Sequence, residues 1–398
     1  MFRRLLISCA AVFVGACSEK AATVEPVVAP AAAANNAVKF WESNAPVYWN
    51  GVARQLVATY RLNALQAIRG YSIVSVAQYN AAVAAEKAAE HGTHPSVHAA
   101  ISAASVVALS YLHPAEASAL ETRLSQYLQQ EGWPGDAHTD KEAGAAIGRA
   151  IAAQVVARAQ TDRFNAPWTG TVPTGAGKWF SATAPVGATV GQAKTYFLTS
   201  GNQFRPAPPP AFGSAEFNAA VAQVRQTSDT RTPQQTAIAV FWNLPAGTHQ
   251  PPGFWNEEAA SLAQKYRLNE RETAHTLALM NIVSYDAIVA SHEAKYHYWL
   301  LRPTMADPGI TLAIGLPNFP SYPSNHAAIS AGMARVLGAR FPSESAHLEA
   351  LALEAAWSRV YGGIHYWFDG EAGLELGRNV AAWALAHDVN GHEPFSLQ

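Results

Sequence analysis

The chain has 398 residues, a formal net charge of −2 at pH 7, and only 14% charged residues. With no excess of basic residues, a nucleic-acid partner is not expected. The length exceeds what one small core can hold, so two domains or one large domain built twice are expected. Alanine-rich apolar stretches dominate and runs of β-branched residues are few, which favours helices. We therefore expect an all-α fold.

The first residues predict an export signal rather than part of the fold. Two arginines precede the apolar stretch 5–14, which is too short to span a bilayer. The tetrapeptide Val-Gly-Ala-Cys that ends at Cys17 resembles a bacterial lipobox, in which this cysteine would be lipidated. We predict a lipoprotein signal peptide at 1–17 and a flexible tether at 18–37. The chain is then expected on the periplasmic side of the bacterial cell envelope, with Ser18 favouring the outer membrane. The alternative is an ordinary secretory signal.

The sequence contains an internal duplication. The tetrapeptide Tyr-Arg-Leu-Asn begins at Tyr60 and again at Tyr266, and 19 residues after each tyrosine comes Tyr-Asn-Ala or Tyr-Asp-Ala. The pattern Pro-Ser-x-His-Ala-Ala-Ile-Ser-Ala contains His98 in one copy and His326 in the other. A fourth match, Glu-Ala-Gly-x3-Gly-Arg, begins 44 or 45 residues after each histidine. Four matches in the same order indicate that the chain is built from two similar units.

Both units have apolar residues at helical spacing. The spans are 53–90, 96–112 and 142–160 in the first unit, and 259–299, 326–340 and 371–388 in the second. We predict two duplicated helical bundles, an N-terminal degenerate one at 38–160 and a C-terminal catalytic one at 233–392. Residues 161–232, rich in Gly, Pro and aromatics, are predicted to form a loop-rich connection with little helix. Features found only in the second unit are not needed to build a bundle, and they are the candidates for chemistry.

Three motifs stand out in the second unit; the first unit keeps only a Pro-Ser-x-His remnant and lacks the cations and the partner histidine. In the first motif, Lys295 and Arg302 lie seven residues apart, a spacing that would put both cations on one face of a helix. In the second, Ser324 and Asn325 precede His326 at a predicted loop-to-helix junction, where free backbone N–H groups can face an anion. Taken singly, these motifs are also typical of a solvated helix face and of an ordinary helix start.

The third motif contains Arg359, His365 and Asp369. Together with the other two motifs it provides two arginines, a lysine, a serine hydroxyl and helix N–H groups, which can cage a tetrahedral or trigonal oxyanion. Two histidines in such a cage need different roles: one attacks or coordinates the central atom and the other transfers a proton. Asp369 lies four residues after His365 and could fix the tautomer of its ring through Nδ1. Alone, this histidine would be interpreted as a packed core residue.

The three motifs, Lys-x6-Arg-Pro, Pro-Ser-x-His and Ser-Arg-x5-His-x3-Asp, resemble the signature shared by vanadium-dependent haloperoxidases and type 2 phosphatidic acid phosphatases. The stretches around residues 196–206, 241–256 and 319–323 are similar to the bacterial branch of the haloperoxidases. The resemblance covers most of the chain after the tether. It implies a vanadium haloperoxidase/acid phosphatase-like fold of paired helical bundles, in agreement with the duplication.

The resemblance also implies how an oxyanion is held. Lys295, Arg302 and Arg359 would neutralise it, and Ser324 and the backbone N–H of residue 325 would add hydrogen bonds. Asn325 stands where the family usually has glycine, which could alter the approach of the backbone or add an amide donor.

Further roles follow from the same resemblance. His365 would be the axial metal ligand of vanadate or, in a phosphatase, the nucleophile, and Asp369 would orient it. His326 would be the acid–base group. His292 stands where chloride-oxidising members have tryptophan, which favours bromide or iodide over chloride as the substrate. Phe319 could form a wall of the halide pocket.

The leading hypothesis is a vanadate-dependent haloperoxidase-like enzyme that oxidises a halide with hydrogen peroxide. An alternative is a periplasmic acid phosphatase that hydrolyses a phosphate ester through a phosphohistidine and needs no vanadate. These two functions share every motif residue, so the motifs leave both open. A second alternative is an envelope lipoprotein that binds an oxyanion without turnover.

Overall fold

The computed structural model describes residues 44–91, 94–130, 138–388 and 392–397. These residues form thirteen α-helices, three short 3-10 helices and no β-strand, which confirms the predicted all-α fold. In this part of the chain, no helix is both long and apolar enough to cross a membrane. The predicted signal peptide at 1–17 and tether at 18–37 lie outside the described residues.

Five helices precede the connecting segment: α1 Ala45–Thr59, α2 Ala64–Ala89, α3 Val97–Leu112, α4 Ala117–Gln130 and α5 His138–Gln160. Two follow in the middle of the chain: α6 Ala215–Asp229 and α7 Pro233–Phe241. The remaining six are α8 Gln250–Lys265, α9 Glu270–Tyr298, α10 Pro303–Ala306, α11 Asn325–Arg340, α12 Ser345–Tyr361 and α13 Trp367–His387. The 3-10 helices are Pro114–Glu116, Val190–Gln192 and Pro342–Glu344.

Five helices of the first repeat correspond in chain order to five of the second; α10 has no counterpart. The pairs are α1 with α8, α2 with α9, α3 with α11, α4 with α12 and α5 with α13, and a 3-10 helix precedes both α4 and α12. The duplication in the sequence is therefore a duplication of five helices in space. Helices α2 and α9 pack against each other, and one continuous hydrophobic core contains residues of both repeats.

The two longest periodic spans are each divided into two helices, which the periodicity alone did not predict. Asn63 and Asn269 are the N-caps of the second helix in each span. Each asparagine side chain accepts the backbone N–H of the residue three positions later, and the Gln or Glu side chain at that position accepts the backbone N–H of the cap. Two residues before each cap stands an arginine with positive φ, 50° at Arg61 and 53° at Arg267. The spans 53–90 and 259–299 are therefore interrupted at equivalent points by the repeated Tyr-Arg-Leu-Asn.

The connecting segment contains more helix than predicted. Within 161–232, helix α6 runs for 15 residues from an N-cap at Ser214, whose side chain accepts the backbone N–H of Phe217. This helix packs against α10 and α12 of the second repeat. The loops before it lie on the same repeat, since the backbone of Val186 donates to Asn318. The segment is therefore a cover over the second repeat.

The repeated Glu-Ala-Gly-x3-Gly motif lets two helices cross closely in each repeat. Helix α5 packs against α3, and α13 packs against α11. A Cβ atom at Gly144 would lie 2.2 Å from the carbonyl oxygen of Ser96, and one at Gly373 would lie 2.5 Å from that of Ser324. No side chain fits at these distances, so glycine is required for the approach. In the second repeat, this crossing fixes the loop that carries Ser324.

Candidate active site

The first two cations reach the site from different elements. Helix α9 contains Lys295 and ends just before Trp299, which has a left-handed φ of 56°. Arg302 is extended (φ −80°, ψ 157°) because the following Pro303 disfavours helical backbone. The prediction that both cations share one helix face is therefore wrong. Their head groups nevertheless converge, at 5.1 and 5.0 Å from the centroid of the Phe319 ring.

The ammonium group of Lys295 is fully buried and donates to three carbonyl oxygens of one loop. The acceptors are Pro320 at 3.0 Å, Ser321 at 2.7 Å and Pro323. Burial, and then the charge of Arg302, lowers the pKa of the lysine. Lys295 thus orders the loop before α11 and brings positive charge to the site, while its three donors are used by the backbone.

Arg302 is also fully buried, and only part of its guanidinium is hydrogen-bonded. Its Nε donates to the carbonyl of Phe319 at 3.0 Å, and its Nη1 lies 2.8 Å from the carbonyl of Ile364 and 3.0 Å from Nε2 of His365. Its Nη2 has no hydrogen-bond partner among the described residues. Burial lowers the pKa of Arg302 to about 10, so the group remains charged at neutral pH.

Arg359 contributes the third buried cation from the last turn of α12. Its Nη2 donates to the carbonyl of Ala239 at 3.1 Å, and its Nε donates to the hydroxyl of Ser358 at 3.0 Å. Burial, and then Arg302, lowers its pKa to about 9. Neither of these partners carries a negative charge. Arg359 therefore adds to a local excess of positive charge.

His365 lies between Asp369 and Arg302. Its Nδ1 is 2.7 Å from Oδ2 of Asp369, which also accepts hydrogen bonds from the hydroxyl of Ser321 and the backbone of Tyr366. This pattern assigns the ring proton to Nδ1 and leaves the lone pair of Nε2 facing the guanidinium. Burial, and then the neighbouring arginine, lowers the pKa of His365 well below its usual value. The ring is neutral, as a nucleophile or a metal ligand requires.

His326 lies in the first turn of α11, after the N-cap Ser324, whose side chain accepts the N–H of Ala327. Its Nε2 is 3.0 Å from the carbonyl oxygen of Trp242, so Nε2 carries the proton. Nδ1 is then the unprotonated nitrogen of the ring. Burial and the charge of Arg359 lower the pKa of His326, while the carbonyl of Trp242 opposes this shift. A neutral ring with one free nitrogen is suited to accept a proton.

A cavity of about 110 Å³ reaches both histidines. Its walls are mostly apolar and come from the first repeat, the connecting segment and the second repeat. They are formed by Asn63, Ala64, Leu65, Ile68, Val186, Pro251, Ile288, Pro317, Phe319, Asn325, His326, Ile329, Ile364 and His365. The start of α2 thus closes a site whose reactive groups belong to the second repeat.

The side chain of Asn325 is held by the neighbouring helix α9. Its Nδ2 donates to Nε2 of His292 at 3.1 Å, and its Oδ1 accepts from the hydroxyl of Ser291 at 2.7 Å. Nδ1 of His292 in turn donates to the carbonyl of Gly187 at 2.9 Å. Burial lowers the pKa of this histidine to about 3. Asn325 therefore ties α11 to α9 and, through a neutral histidine, to the connecting segment; its amide is committed to these contacts.

The structure brings the motif residues to one place. The side chains that meet there are Lys295, Arg302, His326, Arg359, His365 and Asp369. The backbone N–H of Ser324 donates to the carbonyl of Asp369, and the side-chain amide of Asn325 is turned towards α9. The sequence analysis missed the hydroxyl of Ser321, which lies in the Phe-Pro-Ser-Tyr-Pro stretch quoted for the resemblance. It also missed the carbonyls of Ala239 and Trp242, which no side-chain pattern can reveal.

Comparison with known proteins agrees with this geometry. Residues 274–390 match the family model of the PAP2 superfamily, which confirms the resemblance that the three motifs carry. The chain is similar to the crystal structure of the first bacterial vanadium-dependent iodoperoxidase, with a TM-score of 0.75, 20% identity, and coverage of 86% of this chain and 96% of that one. A holo-type bacterial vanadium-dependent chloroperoxidase gives a TM-score of 0.65 at 13% identity, covering 82% and 91%.

An apo-type structure of a bacterial vanadium-dependent chloroperoxidase gives a TM-score of 0.63 at 14% identity, with 83% of this chain and 93% of that one covered. No curated protein matches the chain. At these identities the comparisons establish the fold, which is that of the vanadium-dependent haloperoxidases.

Proposed function

We propose, from the match of residues 274–390 to the PAP2 superfamily, that the protein is a vanadate-dependent haloperoxidase-like enzyme. It would oxidise a halide with hydrogen peroxide. The observation that carries this proposal is a buried excess of positive charge. Lys295, Arg302 and Arg359 are at most 1% exposed; the carboxylate of Asp369 raises the pKa of Lys295 and Arg302, and no carboxylate of the described residues does so for Arg359. Buried cations are costly unless compensated, so such a cluster favours a bound anion.

The donors at the site fit a tetrahedral oxyanion such as vanadate or phosphate. Nη2 of Arg302 is buried without a hydrogen-bond partner among the described residues, and it lies on the guanidinium that faces His365. Guanidinium groups offer paired N–H donors to such oxygens, and the hydroxyl of Ser324 adds another. The neutral Nε2 of His365 would bind the central atom. The charge of Lys295 would act through the local field, since its ammonium hydrogens are held by the loop.

Vanadate, when bound, would supply a Lewis acid that activates peroxide towards halide with no net change in its oxidation state. The protein would supply the rest. Arg302 and Arg359 would hold negative oxygen atoms, Asp369 would keep His365 in the Nδ1–H tautomer, and His326 would accept or donate a proton at Nδ1.

The size of the cavity favours small reactants. An apolar cavity of about 150 Å³ holds one benzene molecule, whereas the cavity beside His326 and His365 measures about 110 Å³. Peroxide and a halide fit this space more readily than a phosphate ester of a bulky alcohol. The apolar walls, which include Phe319 and Ile364, suit the weakly hydrated bromide or iodide ion better than chloride, as the sequence also suggested from His292.

One observation favours an acid phosphatase as the alternative. The neutral Nε2 of His365, 3.0 Å from a guanidinium, is also what a nucleophile in phosphoryl transfer needs. In that reaction Nε2 of His365 would form a bond to phosphorus as the ester oxygen leaves, and His326, after taking up a proton at Nδ1, would transfer that proton to the leaving alcohol.

One assay set separates the two functions. The purified protein is freed of metal, divided, and loaded or not loaded with orthovanadate; each half receives peroxide with bromide or iodide. In parallel, p-nitrophenyl phosphate and glycerol phosphate are offered to the unloaded half. Halide oxidation is expected only in the half that was loaded with orthovanadate. It should be lost in His365→Ala and should persist in the matched control His98→Ala.

Phosphate ester hydrolysis that vanadate inhibits and that His365→Ala abolishes would favour the phosphatase instead. If neither reaction occurs while orthovanadate still binds, the third hypothesis, an oxyanion-binding lipoprotein without turnover, remains.

The cellular location is a separate proposal. A chain lipidated at Cys17 would face the periplasm from the bacterial envelope, most consistently the outer membrane, and would reach peroxide and halide there without entering the cytoplasm. Labelling cells with a fatty acid should mark the wild type and leave Cys17→Ser unlabelled. An unlabelled wild type would instead indicate an ordinary secretory signal.

A further inference from the structure

The C-terminal end of helix α7 contacts both Arg359 and His326. This helix runs from Pro233 to Phe241, with Trp242 as its C-cap. It belongs to neither set of five duplicated helices. Its position beside the two site residues therefore calls for its own explanation.

The last carbonyl groups of a helix have no partner within the helix. In α7, the carbonyl of Ala239 accepts from Nη2 of Arg359 at 3.1 Å, and the carbonyl of Trp242 accepts from Nε2 of His326 at 3.0 Å. The helix end also has partial negative charge, which favours a cation such as Arg359. Two site residues are thus aligned by the same few backbone atoms.

The position of this helix end is fixed by a buried hydrogen bond. The indole Nε1 of Trp242 donates to Oε1 of Glu354 at 2.9 Å; the tryptophan is fully buried and the glutamate is 4% exposed. Glu354 lies on α12, five residues before Arg359. Its charge is not among the groups that shift the pKa of Arg359, so the carboxylate does not act as the counter-ion of the guanidinium.

We propose that the hydrogen bond between Trp242 and Glu354 positions the end of α7, and that this end holds His326 in the Nε2–H tautomer and aligns Arg359. Glu354 and Trp242 are positioning residues, because neither side chain contacts the reacting groups directly. The effect on chemistry rests on the proposed function, whereas the effect on the tautomer does not.

The tautomer has a direct chemical consequence. While Nε2 of His326 donates to the carbonyl of Trp242, Nδ1 is the ring atom that exchanges a proton. If the helix end moved, the ring could adopt the other tautomer and present Nε2 instead. A displaced carbonyl at Ala239 would at the same time release Arg359.

The test uses the full chain with ring-labelled histidine. The nitrogen spectrum of the imidazole distinguishes the two tautomers, and His326→Gln identifies the signal. We expect Nε2–H in the wild type, a mixture of tautomers in Glu354→Met, and the wild-type pattern in Glu354→Gln, which keeps an oxygen acceptor. Glu349→Met, a half-exposed glutamate on the same helix, is the matched control and should change nothing.

In the vanadate-loaded enzyme, Glu354→Met should lower kcat by about 10–100-fold, the usual range for a residue that orients a site group. KM for the halide should not change, and Glu354→Gln should restore kcat. If Glu354→Met does not fold, Glu354→Asp, which shortens the side chain by one methylene, serves in its place.

An unchanged His326 spectrum in the folded variant would overturn the proposal. If the wild type oxidises no halide but the His326 spectra of the wild type and the Glu354 variants are as expected, the proposed function is wrong and this inference still holds.

Discussion

His98 and His326 occupy the same position in the first turn of corresponding helices, yet their surroundings differ. Nδ1 of His98 is 2.7 Å from the carboxylate of Glu270, and its ring stacks on Tyr127 at 5.0 Å. His326 instead borders a cavity and donates to a backbone carbonyl. In the first repeat an aromatic ring and a carboxylate fill the space around the histidine. In the second, the same helix start leaves room for a ligand.

The charges of the two repeats differ in the same way. In the first repeat Arg69 pairs with Asp162 at 2.7 Å, and Arg149 pairs with Glu121 at 2.7 Å. In the second, the guanidinium groups of Arg302 and Arg359 contact carbonyl, hydroxyl and imidazole groups. Neither guanidinium has a carboxylate among these hydrogen-bond partners, which is the arrangement expected of an anion site.

The largest expected effect separates the two histidines. His326→Ala should lower kcat by about 10²–10⁴-fold, the usual contribution of an acid–base group. His98→Ala should leave kcat unchanged and lower the free energy of unfolding by about 1–3 kcal/mol, because Glu270 loses a hydrogen-bond partner. Steady-state kinetics and denaturant unfolding of both variants provide the check. A comparable loss of kcat in His98→Ala would show that the repeats are not functionally distinct.

The second prediction concerns the cations. Arg359→Met should weaken binding of orthovanadate by about 10–100-fold, since one charge-assisted hydrogen bond contributes about 1.5–3 kcal/mol. The anion-free protein should lose no stability, because an apolar side chain replaces a buried charge. In Arg149→Met the lost ion pair is exposed, and the change should stay within about 1 kcal/mol. Calorimetric titration measures the affinity for orthovanadate, and denaturant unfolding measures the stability of both variants. Equal affinity in Arg359→Met and wild type would contradict a role in anion binding.

The third prediction uses the matched glycines. Gly144→Ala and Gly373→Ala should each lower the free energy of unfolding by about 1–3 kcal/mol, because the new methyl group collides with a helix start. Only Gly373→Ala should also reduce kcat, since the carbonyl it would strike belongs to Ser324, two residues before His326. Thermal unfolding and turnover are measured on the same samples. A loss of turnover in Gly144→Ala would mean that strain passes between the repeats.

The smallest effect concerns the Tyr-Asn/Asp-Ala pair. Asp286 is fully buried and accepts three backbone N–H groups from residues 196–198, and burial raises its pKa to about 6. A carboxyl group with a raised pKa in the folded state holds its proton more tightly than in the unfolded chain. Its contribution to stability is therefore greatest at low pH and is lost as the pH rises through about 6.

It follows that Asp286→Asn should be more destabilising at pH 4.5 than at pH 7, by about 2 kcal/mol. Asn80, the equivalent residue, already has an amide and bonds to the backbone of Phe395 in both directions. Its replacement by alanine should cost the same at either pH. Denaturant unfolding of both variants is measured at the two pH values. If Asp286→Asn lowers the free energy of unfolding equally at both, the pKa of Asp286 is not raised in the folded protein.

The parts that were predictable from the sequence are those encoded locally. Helical periodicity and the repeated motifs gave the all-α fold, and the three motifs gave the residues that meet at the site. The path of Arg302 was not predictable from its spacing to Lys295, because Trp299 ends the helix through a left-handed backbone that no residue type requires. The carbonyl of Trp242 and the wall formed by α2 were missed because they depend on packing between distant segments.

One wall of the cavity is formed by α2 of the first repeat, although the two histidines that the cavity reaches belong to the second repeat. A truncated gene product beginning after residue 232 would keep all of these side chains but would expose His326 and His365 to bulk water along the missing wall. The first repeat therefore does more than enlarge the core, because it forms one wall of the cavity that reaches the two histidines.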